Sequence, residues 1–314
     1  MTDLRIVFAG SPAAAVPSLR VLAASRHEIA TVLTREDSPL GRRRVPTPTI
    51  VAQTAETLGL PVLRANRLAG AATESISAMR PDLGVIVAYG GLVREPLLSA
   101  PTHGWINLHF SLLPRWRGAA PVQRAIIAGD EVTGTTVFSL VEELDAGDVL
   151  GLTTQSIAHD ETAGALLDSL AQSGAELLGR VVDAIADGTA RPEPQRGDVS
   201  LAPKLALADG RIDWSQSASS VHALVRGVTP EPGAFTELSG LRLKVLDSAI
   251  ARGATPGPPG QFRLDDGRVL VGTNTDPLEL ITVQPAGKKA MGAADWWRGR
   301  PADAPAIAER DGRE

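Results

Sequence analysis

The chain has 314 residues, a formal net charge of −5, 43% hydrophobic and 21% charged residues, and no cysteine. Its length accommodates two domains, and its composition is that of an ordinary globular protein. Disulfides, a thiolate nucleophile and cysteine-ligated metal are excluded, and the mild acidity argues against a generic nucleic-acid binder, which is usually basic. The charge is unevenly spread. GRRRVP places Arg42, Arg43 and Arg44 side by side, and Arg115, Arg117 and Arg124 lie close in sequence. Glu142, Glu143, Asp145 and Asp148 crowd into VEELDAGD. A polyanion could therefore still bind through the basic clusters alone. The start, MTDLRIVFAG, carries charges where a signal peptide needs an apolar core. No apolar run reaches the roughly 18–20 residues that span a bilayer. These features predict a cytoplasmic protein with no membrane anchor.

In chain order, RIVFAG (5–10) reads as a buried parallel strand, AAAVPSLRVLAAS as a helix and EIATVLT (28–34) as a second strand. Residues 35–48, rich in arginine and proline, read as an exposed loop. TIVAQTAETLG is helical in pattern, and LGVIVAYG (83–90) is another apolar strand. GWINLHF and AAPVQRAIIAG follow as strand and helix. The stretch from Thr133 to Ile157 reads as a hairpin-type excursion, and the amphipathic TAGALLDSLAQSGAELLGRVVDAIADG as a long closing helix. This alternation predicts an α/β fold with a doubly wound, mostly parallel sheet. The composition shifts at TARPEPQRGDVSLAPK, which reads as a linker. Beyond it lie a helix around SASSVHALVRGV and short strands at AFTEL, LRLKVLDSAI, GQFRL, RVLVGT and LELITVQPAG, which predict a small β-barrel. From Arg300 a frayed tail is expected. The boundaries read are 1–190, a linker at 191–203, and 204–314. FAGSPAA after the first strand is not the Gly-x-Gly-x-x-Gly of dinucleotide binders.

Asn107 and His109 alternate with Ile106, Leu108 and Phe110, so both project from one face of a strand. At the carboxyl ends of parallel strands, such a pair faces the usual ligand crevice. A histidine can move a proton near neutral pH, and an asparagine amide can donate to a developing oxyanion. With an acid to orient the imidazole, the set suits acyl transfer by direct attack of an amine. The same pattern also ends an ordinary half-exposed strand, and Asp-Ala-Gly-Asp is good turn chemistry. His27, His103, His159 and His222 have no comparable context.

NLHFSLLPRWRG, with LDAGD about 37 residues later, resembles the signature of the folate-dependent formyltransferases. Within that superfamily, PRWRGAAPVQRAIIAGD, VFAGSP, AYG (88–90), APK…IDWSQSA and VQPAGKKAM resemble the branch that formylates methionyl-tRNA. The resemblance runs from Leu4 to about Asp295. Glycinamide ribonucleotide formyltransferases resemble only the first two-thirds, and sugar-formylating relatives usually differ at AAPVQ.

The resemblance implies a Rossmann-like catalytic domain and an OB-like barrel that lies along tRNA. It implies Asn107, His109 and Asp145 as the catalytic trio, with Asp145 holding a protonated His109. It places Ser111, Leu112, Leu113 and Pro114 in the site for the co-substrate 10-formyltetrahydrofolate. Arg42, Arg43 and Arg44 fall in the insertion that reaches the acceptor end of initiator methionyl-tRNA. No metal is needed, and a monomer is expected. Departures from the family pattern are Phe110, Glu231, the acidic VEELDAGD and a slightly short basic loop. The alternative from a different class is a catalytically silent RNA-binding protein, which has no need of Asn, His and Asp together.

Overall fold

β1 (Arg5–Gly10) is buried along its last five residues, as a strand covered on both faces must be. It is followed by α1 (Val16–Ala23), β2 (Glu28–Thr34), β3 (Ser38–Leu40), β4 (Val45–Thr47), α2 (Ile50–Thr57) and β5 (Val62–Arg64). Next come α3 (Ala71–Ala78), β6 (Leu83–Val87), β7 (Trp105–His109), β8 (Arg117–Gly118) and α4 (Pro121–Ala128). β9 (Val132–Ser139), β10 (Val149–Ser156), α5 (Ala163–Ala186) and β11 (Leu201–Ala202) complete this part of the chain. The structure is a computed structural model that describes residues 3–40, 45–301 and 306–309.

Two compact units are present. The first comprises Met1–Pro121, Val132–Ser156 and Leu167–Pro203; the second comprises Val122–Glu131, Ile157–Leu166 and Lys204–Glu314. In the first, one seven-stranded sheet has the order β10-β9-β7-β6-β1-β2-β5. β5, β2, β1, β6 and β7 run parallel, while β9 and β10 form the expected antiparallel excursion. The core beneath this sheet gathers Val7, Leu33, Ile76, Tyr89, Leu97 and Trp105. Trp105 is 1% exposed and donates its indole N–H to the Leu97 carbonyl at 2.8 Å.

Gly84 lies opposite Trp105 on β6, and a Cβ there would sit 2.1 Å from the indole ring. The two residues are size-matched across the strands. Gly84→Ala is expected to lower unfolding stability by about 1–3 kcal/mol through overpacking. Chemical denaturation checks it; an unchanged midpoint would mean that the sheet yields freely at this pair.

The chain departs from the sequence expectations at several places. Residues 35–48 are not wholly irregular, because β3 and β4 pair antiparallel with Pro39 opposite Pro46. Arg42, Arg43 and Arg44 lie outside the described residues. β5 and α3 are additional elements. Residues 191–203, expected as a linker, run along the first unit: Glu193 bridges to Val149, and β11 pairs with β8.

The second unit contains α6 (Ala218–Gly227), β12 (Ala234–Leu238), β13 (Leu241–Ile250), β14 (Phe262–Asp265), β15 (Arg268–Val271), β16 (Leu278–Pro285), β17 (Met291–Gly292) and α7 (Ala293–Arg298). Its antiparallel sheet has the order β12-β13-β16-β15-β14, with β17 on β16. Register shifts along β13 at Val245/Asp247 and Asp247/Ser248 bend the sheet into a half-barrel. Its core packs Trp214, Val221, Val225, Leu243, Val245 and Phe262. α6 is started by Ser217, whose hydroxyl accepts the Ser220 N–H at 3.1 Å. The tail is not simply frayed. Phe262 N–H donates to Ala306 O at 2.7 Å, and Ala308 N–H donates to Gly260 O at 2.8 Å. No helix among the described residues is long and apolar enough to cross a membrane.

Candidate active site

Asn107 and His109 lie at the carboxyl end of β7. His109 pairs with Thr136 of β9; Asn107 lies between Ile86 of β6 and Phe138 of β9. β7 is thus the last parallel strand before the antiparallel excursion. The chain builds outward from β1 through β2 to β5, then returns to the other side of β1 with β6 and β7. Crevices beyond the carboxyl ends of strands at such a reversal are where open α/β sheets bind ligands.

His109 is 5% exposed. Its Nε2 lies 2.8 Å from the Trp116 carbonyl oxygen. A carbonyl can only accept, so Nε2 carries the hydrogen and Nδ1 is the atom left to take a proton. Nδ1 faces Asp145 Oδ2 at 3.9 Å, too far for a hydrogen bond but near enough for charge attraction. Burial pushes the imidazole below its ordinary range; Asp145 and the Trp116 carbonyl pull upward without outweighing it. Burial therefore favours the neutral ring, whose Nδ1 is free to take a proton.

A stability test follows from that direction. In the unfolded chain the ring protonates as pH falls through about 6.5. In the folded chain it resists protonation to a lower pH, so folding is penalised increasingly below that point. The Tm advantage of wild type over His109→Ala is therefore expected to shrink as pH falls from 7.5 to 5.5. A constant difference would mean that the ring is not held neutral.

Asp145 adopts a left-handed backbone, with φ of 47°, and its carboxylate accepts the Gly118 N–H at 2.7 Å. It is thus anchored to a backbone amide rather than bonded to His109. Gly118 has φ of 125°, and a Cβ there would meet the Ala202 carbonyl oxygen at 2.7 Å. Glycine is required at this close approach of β8 and β11. Gln195 fixes the turn from the other side: its amide donates to the carbonyl oxygens of Asp145 at 2.7 Å and Gly147 at 2.9 Å. Arg117 holds the Gln195 oxygen through Nε and Nη2, and bonds Glu143 Oε1 through Nη1 at 2.9 Å. Trp116 N–H donates to Ser200 Oγ at 2.9 Å.

Asn107 is the anomaly. Its side-chain oxygen is buried and has no partner. An unsatisfied buried polar group costs about 1–3 kcal/mol, so proteins rarely keep one without a use.

Ser111, Leu112, Leu113 and Pro114 form the loop after β7. The Ser111 hydroxyl donates to Arg115 O at 2.6 Å, and Thr136 Oγ1 donates to Ser111 O at 2.7 Å. The hydroxyl is therefore engaged within the loop. Leu113 and Pro114 are buried and Leu112 is half-buried. Sequence reasoning missed Gly118, Gln195 and the Trp116 carbonyl. Gly118 was within reach, as a glycine after an Arg-Trp-Arg turn. Nothing local marks Gln195.

Residues 4–182 match the family described as "Formyl transferase", and residues 204–301 match "Formyl transferase, C-terminal domain". The methionyl-tRNA formyltransferase of Clavibacter sepedonicus is 60% identical over 296 residues, covering 94% of this chain and 97% of that protein. The one from Leifsonia xyli subsp. xyli (strain CTCB07) is 60% identical over 301 residues, covering 96% and 99%.

The chain belongs to the methionyl-tRNA formyltransferase family.

Among solved structures, a formyltransferase from Helicobacter canadensis, in complex with folinic acid and dTDP-3-aminofucose, superposes with a TM-score of 0.69 at 15% identity. It covers 90% of this chain and 99% of that one. HypX from Aquifex aeolicus, in complex with tetrahydrofolic acid, superposes with a TM-score of 0.60 at 17% identity, covering 94% of this chain and 47% of that one. These likenesses bear on the fold, a formyltransferase α/β domain with a half-barrel appended. The formyltransferase family uses a formyl-tetrahydrofolate donor, and its methionyl-tRNA branch takes tRNA and folate as substrates.

Proposed function

We propose that this protein transfers the formyl group of 10-formyltetrahydrofolate to the free α-amino group of methionyl initiator tRNA. The product, formylmethionyl-tRNA, serves translation initiation, and the enzyme works as a cytoplasmic monomer. The observation that carries the reading is the unpartnered Asn107 side-chain oxygen two residues from the buried His109, whose Nδ1 faces the Asp145 carboxylate at the carboxyl edge of β7. A binding-only protein gains nothing from such an arrangement. Residues 1–190 are read as the catalytic domain and 204–314 as the tRNA-binding domain, with 191–203 between them.

In this mechanism the methionyl amine attacks the formyl carbon. Asn107 donates to the oxyanion of the tetrahedral intermediate. His109 Nδ1 takes the ammonium proton as general base, and the Asp145 carboxylate stabilises the resulting imidazolium. Collapse breaks the bond between the formyl carbon and folate N10, and the proton passes to N10 as tetrahydrofolate leaves. The loop 111–114 lines the folate side of the site.

The decisive experiment incubates the purified protein with 10-formyltetrahydrofolate and methionyl-tRNA, and measures formylmethionine after deacylation. No product with chargeable, active tRNA would overturn the reading. Glycinamide ribonucleotide and a nucleotide-linked amino sugar, tried as acceptors, separate the other formyl transfers.

The tRNA assignment of Arg42, Arg43 and Arg44 has its own test. Three adjacent arginines repel one another, and a phosphate backbone relieves that repulsion while releasing counterions. Replacing all three by alanine is expected to raise the tRNA KM and flatten its salt dependence, by up to about one log–log unit per lost phosphate contact. Folate affinity should stay at the wild-type value. An unchanged salt slope and KM would move acceptor recognition elsewhere.

A further inference from the structure

His222, on α6, is 3% exposed. Its Nδ1 lies 3.1 Å from Ser248 Oγ on β13. Its Nε2 is buried and has no hydrogen-bond partner, although Asp160 Oδ1 is only 3.3 Å away. The contact lacks hydrogen-bond alignment. Ser248 Oγ can donate to or accept from Nδ1; when it accepts, Nε2 turns a lone pair toward the Asp160 carboxylate, and a cation between the two satisfies both. The same oxygen, Asp160 Oδ1, also lies 2.7 Å from His159 Nδ1. The His159 and His222 rings face each other with centroids 5.6 Å apart and planes tilted by 30°. The three ligand atoms lie within 4.8 Å of one another, and all three residues belong to the second unit.

We propose that His159, Asp160 and His222 form a binding site for a divalent transition-metal ion of the Zn2+ class, separate from the formyl-transfer chemistry. The separation of 3.3 Å between His222 Nε2 and Asp160 Oδ1 matches the ligand–ligand edge of a tetrahedron with bonds of about 2.0–2.1 Å, and the exposed His159, whose Nδ1 is 2.7 Å from the same oxygen, completes the set by swinging outward. Two imidazoles and one carboxylate select zinc-like ions over Ca2+ and Mg2+, which want oxygen donors throughout. Ser248 is the outer partner that fixes the tautomer of the buried ligand, as metal-bound histidines usually require. One neighbour opposes a cation. Arg226 lies one turn further along α6 and donates to the Glu161 carbonyl at 3.1 Å. Its charge weakens the site, and the Asp160 carboxylate counters it. The fourth position is open to water. Bound metal would tie the segment before α5 to α6 and, through Ser248, to β13.

The test is equilibrium dialysis of the full-length, tag-free protein against Zn2+ alone, read by elemental analysis, with a parallel Co2+ titration followed by visible absorption. Wild type is expected to retain one ion per chain, to give the intense visible bands of four-coordinate Co2+, and to show a Tm raised by a few degrees with Zn2+. His159→Ala changes an exposed side chain and should fold normally, yet it should lose the ion, the bands and the Tm shift. His222→Gln should behave likewise, with circular dichroism reporting its fold. Formyl transfer by metal-free wild type should be unchanged. Zn2+ binding that survives in His159→Ala, or no binding by wild type at micromolar free Zn2+, overturns the proposal.

Discussion

Replacing Asn107 by alanine is expected to lower kcat about 10²–10³-fold, the usual size for losing one oxyanion donor, while leaving Tm unchanged or raised. The two halves of that result belong together. The amide oxygen is buried without a partner, so the native state carries a desolvation cost that alanine removes. A residue retained against stability is one retained for chemistry. His109→Ala should cost at least as much, within the roughly 10²–10⁴-fold typical of a general base. Steady-state kinetics with methionyl-tRNA and thermal unfolding are measured together. Near-wild-type turnover in both variants would remove Asn107 and His109 from the mechanism. A large loss of Tm with Asn107→Ala would mark it as structural.

Gln195→Leu is expected to lower kcat about 10–100-fold, through loss of two hydrogen bonds worth roughly 0.5–1.5 kcal/mol each. Gln195 does not touch the reacting atoms in the proposed mechanism. It holds the carbonyls of Asp145 and Gly147, and so keeps Asp145 in its left-handed conformation. Its loss should lower kcat with little change in the KM for folate, because the loop 111–114 is untouched. Gln195→Glu keeps a partner for Arg117 but sets a carboxylate against two carbonyl oxygens, so it should be no better than leucine. If both variants turn over at the wild-type rate, the turn needs no outside support.

The long strands and their order of appearance were readable because burial on both faces makes continuous apolar runs, as in RIVFAG and LGVIV. Asn107 and His109 stood out for the opposite reason, as polar residues in a buried alternation. β8 and β11 have two residues each, too few for any period to show. Residues 191–203 resemble a linker by composition, since Pro192, Pro194 and Pro203 cannot donate to a ladder. Their pairing is set by partners about 80 residues away in the chain, such as Ser200 for Trp116. α3, AATESISA, lacks a clear apolar stripe and buries only Ile76. α7, AADWWR, hides its helical character behind adjacent tryptophans. Ile307 lies where the composition predicts a tail, yet it bridges to Gln261. The orientation of His109 was equally hidden, because it depends on burial and on a carbonyl seven residues on.

The strap formed by residues 193–202 also orders events in time. Asp145 and Gln195 are 50 residues apart in the chain. At the 5–20 residues per second of protein synthesis, that gap lasts about 3–10 s. During it, a nascent chain has made Asn107, His109 and Asp145 but not the residue that locks the Asp145 turn. β10 (Val149–Ser156) and α5 (Ala163–Ala186) are also made in that interval, so the sheet is completed before the active-site turn is locked. A chain halted between these two points therefore holds Asn107, His109 and Asp145 without the Gln195 amide that locks the Asp145 turn.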